Sequence, residues 1–161
     1  MVKGIFPGSF DPFTLGHLDI ARRSARIVDK LYVAVLINAS KRSAFTMEER
    51  INMIRAALDG ESNIEVISFD GLLVDCAKQY GASVIIRSLR DSSDYLSERQ
   101  METINKRLCP DLEIVYLNSA PELMHISSSA VRELASYGCS IEGFVPEINR
   151  KIIIERLCKN G

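Results

Sequence analysis

The stretch Pro7-Gly8-Ser9-Phe10-Asp11-Pro12-Phe13-Thr14-Leu15-Gly16-His17 sets two prolines, two glycines and one of only two histidines within eleven residues of each other. Gly8 lets a backbone or a ligand approach closely, and Gly16 is expected to open a helix with His17 in its first turn. A helix amino end offers unpaired N–H groups and a positive dipole, so a phosphate is favoured there and a histidine beside it adds a directed hydrogen bond. The glycine spacing is neither G-x-G-x-x-G nor G-x-x-x-x-G-K-[ST], which excludes the dinucleotide fingerprint and the common nucleotide-triphosphate loop. Three further clusters carry compatible chemistry: Lys41 with Arg42, Arg87 with Arg90, and Ser127 to Ser129. Taken singly each has an ordinary explanation. Lys41 and Arg42 suit a solvated loop, the arginines suit surface ion pairs, the serines suit helix capping, and His17 suits neutral packing.

Their meaning depends on the elements that hold them. Apolar, β-branched runs at Val2 to Phe6, Leu31 to Ile37, Asn63 to Ile67, Ser83 to Arg87 and Leu112 to Leu117 read as strands. Amphipathic stretches at Gly16 to Val28, Met47 to Leu58, Leu72 to Tyr80 and Ser92 to Leu108 alternate with them. Thr46 and Glu49 form a capping box, Gly81 stops the third helix, and Pro110 stops the fourth. Beyond the last strand a loop runs into a helix at Ser127 to Ser129, and Pro146 starts another. Consecutive Val and Ile, as in Val84-Ile85-Ile86, predict strands buried on both faces. The expected fold is α/β: a doubly wound, Rossmann-like, five-stranded parallel sheet with helices on both faces, as one domain over residues 1–161. In such sheets ligands lie beyond the carboxyl ends of the strands, where strand order reverses. All four clusters follow strands, so they are predicted to meet at one edge as a polyphosphate site.

Composition narrows the partners. Twenty basic residues against 21 acidic give a net charge of −1, which points away from a nucleic-acid coat or an anionic membrane surface. The longest apolar run, Leu31 to Ile37, is far short of the ~20 residues a membrane helix needs. No secretory leader pattern opens the chain, and a cytoplasmic location is expected. Cys76, Cys109, Cys139 and Cys158 show no metal-ligand spacing and are expected to be reduced and mostly buried.

The loop ending in Gly16-His17, the segment Ile86-Arg87-Ser88-Leu89-Arg90 and the run Ile126 to Ser129, in that order, resemble the bacterial phosphopantetheine adenylyltransferases, members of the nucleotidyltransferases with an [HT]-x-G-H signature. The resemblance runs nearly end to end. It implies transfer of the adenylyl group of ATP to 4'-phosphopantetheine, giving dephospho-coenzyme A and pyrophosphate, with Mg2+ assisting and held mainly by the ATP phosphates. It assigns His17 to stabilise the transition state, with Lys41 and Arg90 as further charge-stabilising groups. Acceptor contacts fall on Ser9, Lys41, Leu73 and Arg87. Nucleotide contacts fall on Ser9, Phe10, His17, Ser88, Leu89, Arg90 and Glu98, and on Leu123, Met124, His125, Ile126, Ser127, Ser128 and Ser129. A homohexamer of two trimers and competition by coenzyme A are also implied. Ser88 stands where the family usually has glycine, so a positive φ there would strain it; Leu96, Ser97, Leu123 and His125 also depart from the usual residues. His125 by itself reads as a solvent-facing loop residue. A nucleotide-binding module without turnover, and a transferase using another phosphorylated acceptor, are the competing functions.

Overall fold

The computed structural model describes residues 1–37 and 42–158, with the side chain of Ser97 left aside. Five strands alternate with helices: β1 (Lys3–Gly8), α1 (Leu15–Ala25), β2 (Lys30–Leu36), α2 (Met47–Ala57), β3 (Ile64–Phe69), α3 (Leu73–Tyr80), β4 (Val84–Leu89), α4 (Ser92–Leu108) and β5 (Glu113–Asn118). A short 3-10 turn at Pro121–Leu123 then leads to α5 (Ser128–Ser136) and α6 (Glu147–Leu157). The strands form one parallel sheet in the order β3-β2-β1-β4-β5. The chain therefore works outward from β1 in one direction, returns across it through α3, and works outward in the other. Strand order reverses between β1 and β4.

Alternation along the strands divides the core. Phe6, Val33, Val35 and Ile86 pack with Ile20, Ala21, Ile54 and Leu58 of the α1–α2 side. Ile5, Tyr32, Ala34, Ile67 and Ile85 point the other way, onto Val74, Cys76 and Ala77 of α3. A third cluster joins α5 and α6 to Phe45 and Met53. Helices thus cover both faces, as the apolar runs of β2 and β4 require.

β1, β3, β4 and β5 run one or two residues beyond the carboxyl ends of their apolar runs, whereas β2 stops one residue short, at Leu36. β1 keeps its register with β2 through Pro7↔Ala34 and Gly8↔Val35, and Ser88 and Leu89 pair with Leu117 and Asn118. Between β1 and β4, however, the register covers only Gly4↔Val84 and Ile5↔Ile85. Pro7, with no N–H to donate, does not extend the ladder on that side. The sheet consequently parts at its carboxyl edge at the switch point, and the site lies in the opening. α1 is shorter than expected: Ala25 ends it, three residues before Val28, and Thr14 rather than Gly16 begins it as the cap. Of the cysteines only Cys76 is buried; Cys109 and Cys158 are half-buried and Cys139 is exposed, because the last three sit at or just after helix ends rather than on core faces. Among the described residues no helix is long and apolar enough to cross a membrane.

Candidate active site

A cleft of about 520 Å³ occupies the opening between β1 and β4. It is lined by the β1–α1 loop, the carboxyl end of β4 and the start of α4, and the start of α5. That size suits a small-molecule site. Five arginines (Arg42, Arg50, Arg87, Arg90 and Arg132) face three carboxylates (Asp11, Asp94 and Glu98) among the described lining residues, so the cleft is cationic although the chain as a whole is nearly neutral.

His17 is fixed by its own helix start. Thr14 caps α1, its hydroxyl accepting from the His17 amide at 3.3 Å, while the Thr14 amide donates back to His17 Nδ1 at 3.1 Å. An acceptor role for Nδ1 means that the neutral ring carries its proton on Nε2. Phe6, Phe10 and Phe13 surround the ring, with centroids 6.5, 5.0 and 5.6 Å away. Burial among them, reinforced by the positive charge of Arg90, lowers the His17 pKa from 6.5 to about 4. At neutral pH His17 is therefore an uncharged N–H donor. It neither takes up a proton readily nor adds fixed charge.

The helix start itself offers less to an anion than its sequence suggests. The Leu15 amide donates to the Phe144 carbonyl at 2.9 Å and the His17 amide is held by Thr14, leaving the Gly16 amide without a partner among the described residues. Gly8 serves a different neighbour from the one expected. A β-carbon there would lie 2.8 Å from Cζ of Phe10, whose ring folds back over β1 from a left-handed backbone, φ 48°. A non-glycine residue in that region is strained, and such strain persists where surrounding contacts over-determine it. Those contacts are present: Arg50, 6% exposed, donates Nη1–H to the Ser9 carbonyl at 2.8 Å. The Asp11 carboxylate accepts the Ala44 and Phe45 amides, both at 2.9 Å, and Arg132 donates to the Asp11 carbonyl.

On the opposite wall Arg87 gives Nε–H and Nη2–H to Glu98, the Nε contact being 2.7 Å, and reaches the Pro7 carbonyl at 3.4 Å. Arg90 is held in the same way by Asp94. Ser88 lines the cleft from ordinary strand backbone, since Phe10 is the one non-glycine residue with positive φ among those described, so its place in a usual glycine position brings no strain. The three serines divide their work. Ser127 caps α5 by accepting from Ala130, Ser128 donates to the Pro12 carbonyl at 2.8 Å, and Ser129 accepts from Arg132 at 3.3 Å. Their hydroxyls are largely structural, while the Ser128 and Ser129 amides, the first two of α5, remain for an anion.

Ser9, Phe10, His17, Arg87, Ser88, Arg90, Glu98, Leu123, Ile126 and the three serines thus meet around one cleft. Leu73 is not among its lining; it packs half-buried in the α3 core. Leu89, Met124 and His125 also lie outside it, and His125 is exposed and set edge-on to Phe144 at 5.5 Å. Lys41 falls outside the described residues. Asp11, Arg50, Asp94 and Arg132 belong to the site and had no signal as isolated residues. Arg132 had a positional one, lying one helical turn beyond Ser128 on the helix that the serines open.

Residues 5–134 match the family described as Cytidylyltransferase-like. A phosphopantetheine adenylyltransferase of Caldanaerobacter subterraneus subsp. tengcongensis is 45% identical over 160 residues, covering 99% of this chain and 100% of that protein. The chain belongs to the phosphopantetheine adenylyltransferase family. Phosphopantetheine adenylyltransferases of Symbiobacterium thermophilum and Finegoldia magna are similar to it at 46% and 50% identity, covering 99% and 90% of this chain and 98% and 90% of their own lengths. The residues that line the cleft, from Phe6 to Arg132, all lie within the 5–134 match.

Proposed function

We propose that this chain transfers the adenylyl group of ATP to the phosphate of 4'-phosphopantetheine. The acceptor is the one named by the family's relatives; the observation that carries the chemistry is the cationic cleft with His17 presenting an Nε2–H donor beside Arg87 and Arg90. An acceptor phosphate oxygen attacks the α-phosphorus of ATP, a new P–O bond forms, the bond to the β-phosphate breaks, and pyrophosphate leaves with the electron pair. The attacking oxygen is already anionic at neutral pH, so no general base is required, and a histidine kept neutral fits that need. Catalysis rests on bringing two anions together in line and on donors aimed at the oxygens where charge builds.

His17 would donate to the α-phosphoryl oxygens, Arg90 and the Ser128 and Ser129 amides to the polyphosphate, and Arg87 to the acceptor. Lys41 is proposed to bridge acceptor phosphate and ATP. Nucleotide would enter as its Mg2+ complex, with the metal carried mainly by the ATP phosphates. The carboxylates of the cleft are otherwise engaged, Asp11 by backbone amides and Asp94 and Glu98 by arginines, which supports a metal that would be carried by the nucleotide. Dephospho-coenzyme A and coenzyme A would compete for the same cleft. Tyr95, Leu96, Met101, Ile104 and Leu108 leave apolar surface exposed on α4, which supports an interface with another protein surface; the cytoplasmic homohexamer of two trimers is proposed on the family resemblance.

Pyrophosphate release from MgATP tests the reaction. Release is expected to require 4'-phosphopantetheine and to fall about 10²- to 10³-fold in His17→Ala, the usual loss for one transition-state donor. ATP binding without acceptor-dependent release would instead mark a nucleotide-binding module.

A further inference from the structure

We propose that Asp94 is a positioning residue, acting on the reaction through Arg90; the proposal rests on the adenylyl-transfer reading of the cleft. Asp94 lies in the first turn of α4, where Asp91 fixes its backbone by accepting the Ser93 and Asp94 amides at 2.8 and 3.0 Å. From there its Oδ2 accepts both the Arg90 backbone N–H and the Arg90 Nε–H, each at 3.0 Å, and its Oδ1 accepts Nη2–H at 3.1 Å. Two of these bonds hold the guanidinium by its Nε–Nη2 edge and define its plane, which a single bond would leave free to rotate, while the third ties the carboxylate to the Arg90 backbone.

The carboxylate grips the side of the guanidinium formed by Nε and Nη2. The outer edge, carrying Nη1, has no partner among the described residues, and Arg90 itself lines the cleft. Arginine presents two forked edges to oxyanions, so occupation of one by protein leaves the other for phosphate. One turn further along α4, Glu98 takes the same edge of Arg87. The spacing of four residues places both carboxylates on one helix face, opposite two arginines that follow each other on β4 and its loop. Asp94 is therefore more than a favourable charge at a helix amino end, a role Asp91 already fills. With Asp94 only 24% exposed and Arg90 41% exposed, the pair is sheltered on its acidic side and open on its basic side.

A double-mutant cycle separates positioning from structure. Asp94→Asn and Asp94→Ala are each expected to lower kcat/KM for MgATP by about 10- to 100-fold, the loss that a misplacement of about an ångström produces. In an Arg90→Ala background the same changes are expected to matter by less than about 2-fold, because the residue through which they act is gone. Equal losses in both backgrounds, or none in the wild-type background, would overturn the proposal. The Arg90 Nε–H resonance supplies a readout independent of turnover: it should be sharp and protected in the wild type and lost to solvent exchange in Asp94→Asn. Unchanged protection would also overturn it. Absence of turnover in the wild type would refute the adenylyl-transfer reading, and the resonance would still decide whether Asp94 holds Arg90.

Discussion

His17 joins the fold of the β1–α1 loop to the catalytic role proposed for it, and its titration offers a quantitative prediction. The ring has a pKa of about 4 in the folded protein, lowered first by burial and then by Arg90, against 6.5 when exposed. Between those values the unfolded chain binds a proton that the folded chain refuses, so stability rises with pH across the window and is lost as pH falls through it. The folded-state benefit is complete above the unfolded value of 6.5. Linkage over that interval gives a loss of about 2 kcal/mol between pH 7 and pH 5 from this residue alone, tending to about 3 kcal/mol at lower pH. His17→Asn isolates the term, because Asn places an oxygen near the Nδ1 position and keeps an acceptor for the Thr14 amide while removing the titration. Urea unfolding at pH 7 and pH 5 should show the wild type losing about 2 kcal/mol more than the variant. Equal losses would mean that the ring titrates normally when folded, and would refute the claim that it is desolvated and neutral. The same reasoning predicts that turnover shows no histidine inflection between pH 5 and pH 8.

Gly8→Ala would put a β-carbon 2.8 Å from the buried ring of Phe10, which its left-handed backbone and its neighbours hold in place. Urea unfolding should register a loss of about 1–3 kcal/mol, the usual cost of overpacking; an unchanged midpoint would show that the ring is not held there. Glu98→Gln removes the counter-charge that orients Arg87, and KM for the acceptor should rise about ten-fold, equivalent to roughly 1.4 kcal/mol of binding. A rise confined to KM for ATP would assign Glu98 to the nucleotide instead.

Much of this was legible because strands and helices carry strong periodicities and because ligands of doubly wound sheets lie where strand order reverses. Val84-Ile85-Ile86 announced a strand covered on both faces, and α4 and the capping box of α2 stand where their residues place them. His17, Arg87 and Arg90 could be placed on one edge from their positions after strands. What escaped was decided by partners distant in sequence or by backbone geometry. Asp11 works through amides 33 and 34 residues away, and Arg132 through a carbonyl 121 residues away, spacings no local pattern encodes. The role of Gly8 depends on Phe10 adopting a positive φ, which a phenylalanine gives no reason to expect. The serines open a helix with hydroxyls and free amides alike, and only the structure divides them: each hydroxyl closes a protein contact, while the Ser128 and Ser129 amides are left for an anion. Leu73 took its expected role from the resemblance alone; it stands half-buried against the α3 core and outside the lining of the cleft.

The central claim is that the cleft joins ATP to 4'-phosphopantetheine, and mass analysis of the product tests it most directly. Protein, MgATP and a panel of phosphorylated acceptors, incubated separately, should give dephospho-coenzyme A and pyrophosphate in equal amounts with 4'-phosphopantetheine alone. Adenylylation of a mononucleotide or polyol phosphate, with no dephospho-coenzyme A formed, would contradict the account.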